Sequence, residues 1–362
     1  MNILAKMFVK TLPIFVLLTK QAVRPILECL RIYSNIEGVF AEATDLETVV
    51  RIRLTDEFDL QENSSILVNT QELKRILSLY KGLPKYINVT CDFQVVTVKI
   101  DDKKLFRLSN IPRDEFPNLN YEPLNRTLTV SSDEFFDGLK RVLPYVEPLD
   151  RYGMHNVSLE NDGDTLQIVG TDSSRLAIAK AGCEGSIDCR ISKEAVEILM
   201  KAREHFGETQ ITIYESEKRI AFQTPNIFIS TLKRNEIFPD WRKVMPKHMN
   251  TLVTFDRSSL LEGLERAKAM TKETYQKVIF EINSDIVKLI CADSLGEMEE
   301  EPCDYGIVRF KDPIKVCVNP SYIIDALKGS HAITVDIEFE AKSEPILISE
   351  NRFTSLIMPI NI

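Results

Sequence analysis

Apolar positions along the chain fall into two rhythms. Short runs of strand type dominate: VTVKI, LQIVG, QITIY, IAFQT, FISTL, KVIFEI, VKLICA and ITVDIEF. They are rich in β-branched residues and bounded by polar turns. Between them lie stretches with apolar residues at helical 3–4 spacing. Leu4, Phe8, Thr11, Phe15 and Leu18 mark the first, over 3–20, where Pro13 either kinks the helix or ends it early. Five more are predicted over 69–81, 131–147, 192–206, 257–272 and 319–331. This balance excludes a helical solenoid and an alternating βαβ chain, and leaves an α+β fold.

The pattern repeats with a period near 125 residues. EATDLETVV, VGTDSSRLA and ICADSLGEM place Asp45, Asp172 and Asp293 127 and 121 residues apart. Asn69, Ser192 and Asn319 open three helices 123 and 127 apart, each with a side chain suited to an N-cap. Apolar residues follow at +4 and +8: Leu73 and Leu77, Val196 and Met200, Ile323 and Leu327. SSDEFFDGLKRV and DRSSLLEGLERA form another pair, and Pro117 and Pro239 mark two linkers. The reading is three units, 1–121, 122–248 and 249–362, each with two helices and many short strands.

Composition adds little to this. The chain has 362 residues, 44% hydrophobic and 27% charged, as a globular protein has. Seven scattered cysteines include no CxxC pair, and the four histidines are far apart, so neither a zinc set nor a His-based catalytic motif is visible. No cofactor or metal is expected. The uncharged stretch from Thr11 to Thr19 is too short to span a bilayer and no cleavage site follows, so a cytoplasmic location is expected.

Charge sharpens the picture. The six predicted helices together carry +5, so the rest of a chain of net charge −9 carries −14. Bases gather late in the helices, as in Lys140-Arg141, Lys201 with Arg203, and Arg266 with Lys268. Macrodipole complementarity explains that order within each helix, but not the acidity elsewhere.

The stretch IVGTDSSRLAIA offers Ser173 and Ser174 beside Asp172, which suggests a hydrolase nucleophile. No G-x-S-x-G, S-x-x-K or phosphate loop supports it. The acid recurs in every unit and the serine pair does not. A recurring acid at a turn points instead to a side chain that bonds backbone N–H groups. No catalytic residue is expected.

GTDSSRLA (170–177), FPDWRKVMP (238–246), VNPSYIIDAL (318–327) and the terminal MPINI, with TDLE (44–47) and FPNL (116–119), resemble the motifs of the bacterial β sliding clamps, in order along the whole chain. These are the processivity subunits of the replicative DNA polymerase III holoenzyme. The resemblance implies three similar α+β clamp domains and a closed homodimeric ring. Helices would line the hole and antiparallel sheets would lie outside. Twelve helices spaced by about 9 Å would enclose a hole roughly 23 Å across, enough for duplex DNA. A basic lining meets phosphates without reading bases, so such a ring slides.

The resemblance further implies a partner-peptide pocket between the second and third domains. Its residues would be Met154, Thr171, Ser173, Ser174, Arg175, Leu176, Pro239, Lys243, Val244, Asn319, Tyr322, Pro345, Leu356, Met358, Pro359 and Ile360. The DNA polymerase catalytic subunit, the clamp loader and repair proteins would insert short apolar motifs there. DNA contacts would come from Lys6, Lys10, Arg24, Lys74, Arg75, Lys140, Arg141, Arg151, Tyr152, Lys201, Arg203, Arg266 and Lys268. The ring interface would use Phe106 on one face and Ala269 with Met270 on the other.

Several positions depart from the family pattern. Ser173-Ser174 replaces Gly-His, Lys243 an Arg, Asn156 a Gly and Asn361 an Arg, and Ala269 is small. These changes imply a shifted peptide spectrum. Two alternatives are a clamp-like scaffold that binds partners without encircling DNA, and a serine hydrolase using Ser173 or Ser174.

Overall fold

The computed structural model describes residues 2–20, 22–55, 65–79, 86–92, 95–101, 104–109, 116–119, 125–147, 153–271, 276–293, 296–302, 304–340 and 343–360. Six α-helices appear where the periodicity predicts them: α1 (Ala5–Thr19), α2 (Thr70–Ser78), α3 (Ser132–Val142), α4 (Lys193–Phe206), α5 (Arg257–Ala269) and α6 (Pro320–Gly329). Asn69 caps α2, accepting from the Gln71 and Glu72 amides, and Asn319 caps α6 through the Ser321 amide. Asp256 does the same for α5. These side chains satisfy first-turn N–H groups that have no partner inside the helix.

Pro13 does not end α1, which runs through it as one helix. Pro13 is on the exposed face, so the carbonyl that loses its amide partner remains open to water. On the opposite face Phe8, Leu12, Phe15 and Leu18 are buried.

Two compact units divide the chain: 1–133 with 183–186 and 194–233, and 134–182 with 187–193 and 234–362. In the first, four antiparallel strands run in the order Ser65–Asn69, Cys29–Asn35, Gly38–Thr44, Thr48–Thr55. The last joins a second quartet, Ile227–Leu232, Arg219–Gln223, Gln210–Glu215, Asn125–Ser131, with Thr48 opposite Thr231. The second unit repeats this plan. Asp188–Ser192, Asn156–Asp162, Thr165–Thr171 and Arg175–Gly185 form one quartet. It joins Phe353–Ile357, Ile346–Glu350, Thr334–Phe339 and Thr251–Asp256, with Arg175 opposite Ile357.

Each unit also holds one quartet that stands alone. In the first it runs Asn2–Leu4, Tyr86–Asp92, Val95–Ile100, Lys104–Ser109. In the second it runs Ile314–Val318, Val278–Ile282, Val287–Asp293, Gly296–Glu300. Gly296–Glu300 holds the place that Thr48–Thr55 and Arg175–Gly185 hold in their quartets. Lys104–Ser109 holds the place of Ile227–Leu232 and Phe353–Ile357. Among the described residues these two strands are open edges, whereas all four counterparts are joined.

Alternation of inward apolar and outward polar residues makes one face of each sheet the core face. Val253, Phe255, Leu260, Leu264, Phe280, Leu289, Ile323, Leu327, Ile337 and Phe339 are fully buried in one such core, contributed by strands and by α5 and α6.

Candidate functional site

The turn at 171–175 is a bonded unit. Thr171 Oγ1 donates to the Arg175 carbonyl at 2.7 Å and accepts from the Ser173 amide at 3.3 Å. Asp172 Oδ1 accepts from the Ser174 and Arg175 amides at 3.1 and 3.0 Å. The turn at 44–48 repeats every bond: Thr44 Oγ1 to the Thr48 carbonyl at 2.8 Å, the Leu46 amide to Thr44 Oγ1, and the Glu47 and Thr48 amides to Asp45 Oδ1. Ser173 and Leu46 both take a positive φ, 73° and 82°. The recurring aspartate therefore shapes the turn, and Ser173 and Ser174 ride on it. The serine hydroxyls have no hydrogen-bond partner among the described residues, so neither is bonded to a base that could activate it.

Arg175 gathers the second unit around this turn. Its Nε meets Asp172 at 2.8 Å, Nη1 meets Asp325 of α6 at 2.6 Å, and Nη2 donates to the Pro144 carbonyl at 2.6 Å. The guanidinium lies 4.7 Å from the Tyr145 ring centre and 4.4 Å from that of Tyr322. Burial works against its charge, but the hydrogen bonds it donates to Asp325 and Asp172 outweigh this and push the guanidinium further up. Tyr145 is fully buried beneath it, its hydroxyl 2.8 Å from Ser355 Oγ, and burial pushes that phenol up to about 12.

An apolar floor adjoins the turn. Leu176 is paired with Leu356, and both pack with Val169, Ile178, Phe238 and Trp241. The segment carrying Phe238 is latched down. Trp241 Nε1 donates to Glu160 at 2.8 Å, and Arg242, stacked on Trp241, bonds Glu160 at 2.9 Å and Gln167 at 3.1 Å. The C-terminal segment docks by its backbone: the Met358 amide donates to the Ser174 carbonyl at 2.9 Å and Ile360 to Cys317 at 2.7 Å. Val244, Met358 and Ile360 remain exposed, as does Ile237 at 90%. The result is an apolar, partly open surface with preformed walls, suited to apolar anchors.

Of the residues predicted for the pocket, Thr171, Ser173, Ser174, Arg175, Leu176, Tyr322, Leu356 and Met358 are brought together by these contacts. Asn319 caps the helix that carries Tyr322. Pro239 and Val244 are exposed on the latched segment, and Lys243 there is paired with Asp240 at 3.1 Å. Pro359 is half-buried beside Ile360, while Met154 and Pro345 are buried outside the floor cluster. Sequence reasoning missed Tyr145, Asp325, Phe238, Trp241 and Ile237. The signal for Trp241 was available, since it is the only tryptophan in the chain.

Residues 242–361 match the family described as DNA polymerase III beta subunit, C-terminal domain. The beta sliding clamp of Vibrio cholerae is 22% identical over 336 residues, covering 88% of each chain. That of Chlamydia trachomatis is 25% identical, covering 91% of this chain and 78% of its own. A Pseudomonas aeruginosa sliding clamp, crystallised bound to griselimycin, superposes with a TM-score of 0.91 at 20% identity, covering 100% of this chain and 99% of its own. A Thermotoga maritima DNA polymerase III beta subunit gives 0.89 at 20% identity with the same coverage. The whole chain thus has the fold of the β sliding clamps, and residues 242–361 match the C-terminal domain of that family.

The cations expected to meet DNA fall into three groups among the described residues. Arg24, Lys74, Arg75, Lys140, Lys201 and Lys268 are exposed and form no ion pair among the described residues. Lys10, Arg203 and Arg266 are exposed but paired, with Glu204 at 2.9 Å, Asp133 at 3.4 Å, and Glu300 together with Glu262. Exposed pairs are weak, so a phosphate can replace such a carboxylate. Arg141 corrects the expectation. Its side chain is 7% exposed, bonded to Glu350 at 2.5 Å and stacked 4.0 Å over Phe353, so it is not available to a phosphate. Arg151, Tyr152 and the Lys6 side chain lie outside the described residues.

Phe106 is half-buried on the open strand Lys104–Ser109. Ala269 is the exposed last residue of α5, and Met270 caps that helix. Among the described residues no group of three or more His, Cys, Asp or Glu could hold a metal ion, and no helix is long and apolar enough to cross a membrane.

Proposed function

We propose that two copies of this clamp close head to tail into a ring that encircles duplex DNA and slides along it. The ring tethers the polymerase catalytic subunit, and in turn the clamp loader and repair proteins, at the site around Arg175. The protein acts by topology and tethering rather than by catalysis, in the cytoplasm. Three domains, 1–121, 122–248 and 249–362, build each half.

The observation that carries this reading is the pair of unjoined quartets. Two strands that follow an Asp turn pair with the last strand in sequence of another quartet: Thr48–Thr55 with Ile227–Leu232, and Arg175–Gly185 with Phe353–Ile357. Among the described residues Gly296–Glu300 and Lys104–Ser109 are the members of that series left open, and in the proposed ring a second copy supplies each with the other. Such an interface is heterologous, and it closes when the rotation returns after two copies. Charge favours the match: Arg107 lies on one strand, and Glu297, Glu299 and Glu300 on the other. Glu299 and Glu300 are already shared with Lys288 and Arg266, so the backbone ladder is the main term and charge the smaller one.

Light scattering tests closure. A ring has twice the chain mass of 41.4 kDa, and a monomer sinks it. Retention on circular duplex with release on linearisation tests encirclement. Griselimycin, bound in the Pseudomonas aeruginosa structure, probes the tethering site. The pairing of Lys10, Arg203 and Arg266 favours the second reading, a partner-binding scaffold that does not hold DNA. A salt-dependent retention on circular DNA decides against it.

A further inference from the structure

We propose that Asp325 is a positioning residue for the partner-peptide site: it holds Arg175, and through Arg175 the ring of Tyr322, in the arrangement that receives a partner's motif. This rests on the reading of the site as a tethering pocket and assigns a role to a residue outside the pocket itself.

The argument starts from how fully Arg175 is used. Each of its three guanidinium nitrogens has an acceptor, and its plane meets two aromatic rings. At 10% exposure it has little left to offer an incoming ligand. Its work is to tie elements together. Asp172 lies three residues away on the same turn, so that pair is local. Pro144 ties the turn to the chain just after α3. The Nη1–Asp325 pair alone brings a carboxylate from α6, 150 residues away in sequence.

Tyr322 and Asp325 are three residues apart on α6, so ring and carboxylate share one face of the helix. The guanidinium donates to the carboxylate at its edge and presents its face to the ring. Asp325 is 36% exposed, and Tyr322 is half-buried. Both border the surface that carries Ser173 and Met358. Removing the charge of Asp325 leaves Arg175 with Asp172 and Pro144 and loosens its hold on α6. Tyr322 then samples other rotamers, and only a fraction of molecules presents the competent wall. Apparent affinity falls by that fraction.

The test uses the full chain, griselimycin binding by surface plasmon resonance, thermal melting, and the 19F spectrum of 3-fluorotyrosine-labelled protein with Tyr322 assigned through Tyr322→Phe. Asp325→Asn, which keeps shape and loses charge, weakens griselimycin about tenfold and shifts or broadens the Tyr322 resonance. Asp325→Glu, which restores the carboxylate, recovers most of both, an outcome a purely structural role would not require. Tyr322→Leu leaves the ion pair intact and also loses about tenfold, which keeps the proposal open to refutation if Asp325→Asn unfolds. Unchanged affinity in folded Asp325→Asn, an unmoved Tyr322 resonance, or full binding by Tyr322→Leu overturns it while the tethering pocket stands. Absence of griselimycin binding by the unaltered chain overturns the pocket reading and this proposal together.

Discussion

The turns at 44–48 and 171–175 are the same object in two settings. Each has a threonine hydroxyl closing onto the fifth residue and an aspartate oxygen taking two amides. The difference lies in that fifth residue. Thr48 ends the first turn, and its hydroxyl meets Thr231 at 3.0 Å across the joined strands, a short neutral contact. Arg175 ends the second, and the same backbone position reaches Asp325, Pro144 and two tyrosines. One frame makes a seam in one place and, in the proposed pocket, a binding wall in another. Under that reading, function is set by a single side chain mounted on a repeated turn, not by the turn itself.

That comparison can be broken most forcefully at the aspartates. Asp172→Ala strips two amides and the Arg175 Nε of their acceptor. It should cost roughly 4 kcal/mol in urea unfolding and abolish griselimycin binding. Asp45→Ala strips two amides only, should cost roughly 2–3 kcal/mol, and should leave binding intact. Equal effects of both on binding would mean that the site depends on general integrity rather than on Arg175. Next, Arg175→Thr makes the second turn a copy of the first. Asp172 and Asp325 lose their shared cation, with an expected cost of roughly 2 kcal/mol and loss of griselimycin binding by calorimetry.

A smaller effect of opposite sign belongs to the third position. Leu46 and Ser173 both hold a left-handed backbone that favours glycine. Leu46→Gly and Ser173→Gly should each raise stability by about 0.5–1 kcal/mol in thermal melts. Unequal gains would show that the two frames are not equally strained.

The least effect concerns acid. Burial pushes the His205 imidazole of α4 below its ordinary value of 6.5, against weaker upward pulls from a Lys10 backbone hydrogen bond and from Glu204. The unfolded chain therefore binds the proton first as pH falls. Stability contributed by the neutral ring is complete above about 6.5 and declines as pH drops through the window from there to the lowered folded value. His205→Gln should flatten this decline in the first unit, and an unchanged pH profile of melting would refute the assignment.

Helices and turns were legible because their causes are local. N-caps, 3–4 spacing and the Thr-Asp turn depend on residues within a few positions of each other. The open strands were not, since an edge is defined by a partner elsewhere. Arg141 shows the same limit. Lys140 and Arg141 read as one basic pair, yet consecutive helical residues point about 100° apart, and one is exposed while the other is buried. What turns Arg141 inward is Glu350, 209 residues away. Asp325 was overlooked for the same reason: it lies on the predicted sixth helix, and its importance comes from a distant arginine.

The two unjoined quartets carry a genetic consequence. In the proposed ring, a copy with one edge ruined would still engage an intact mate through the other edge, and that mate would then be held in an assembly that cannot close. A damaged copy would thus remove sound ones from use. Substitutions that spoil either edge while sparing the other should therefore behave dominantly in a cell that also makes the normal chain, whereas changes that unfold the whole protein should be silent beside it.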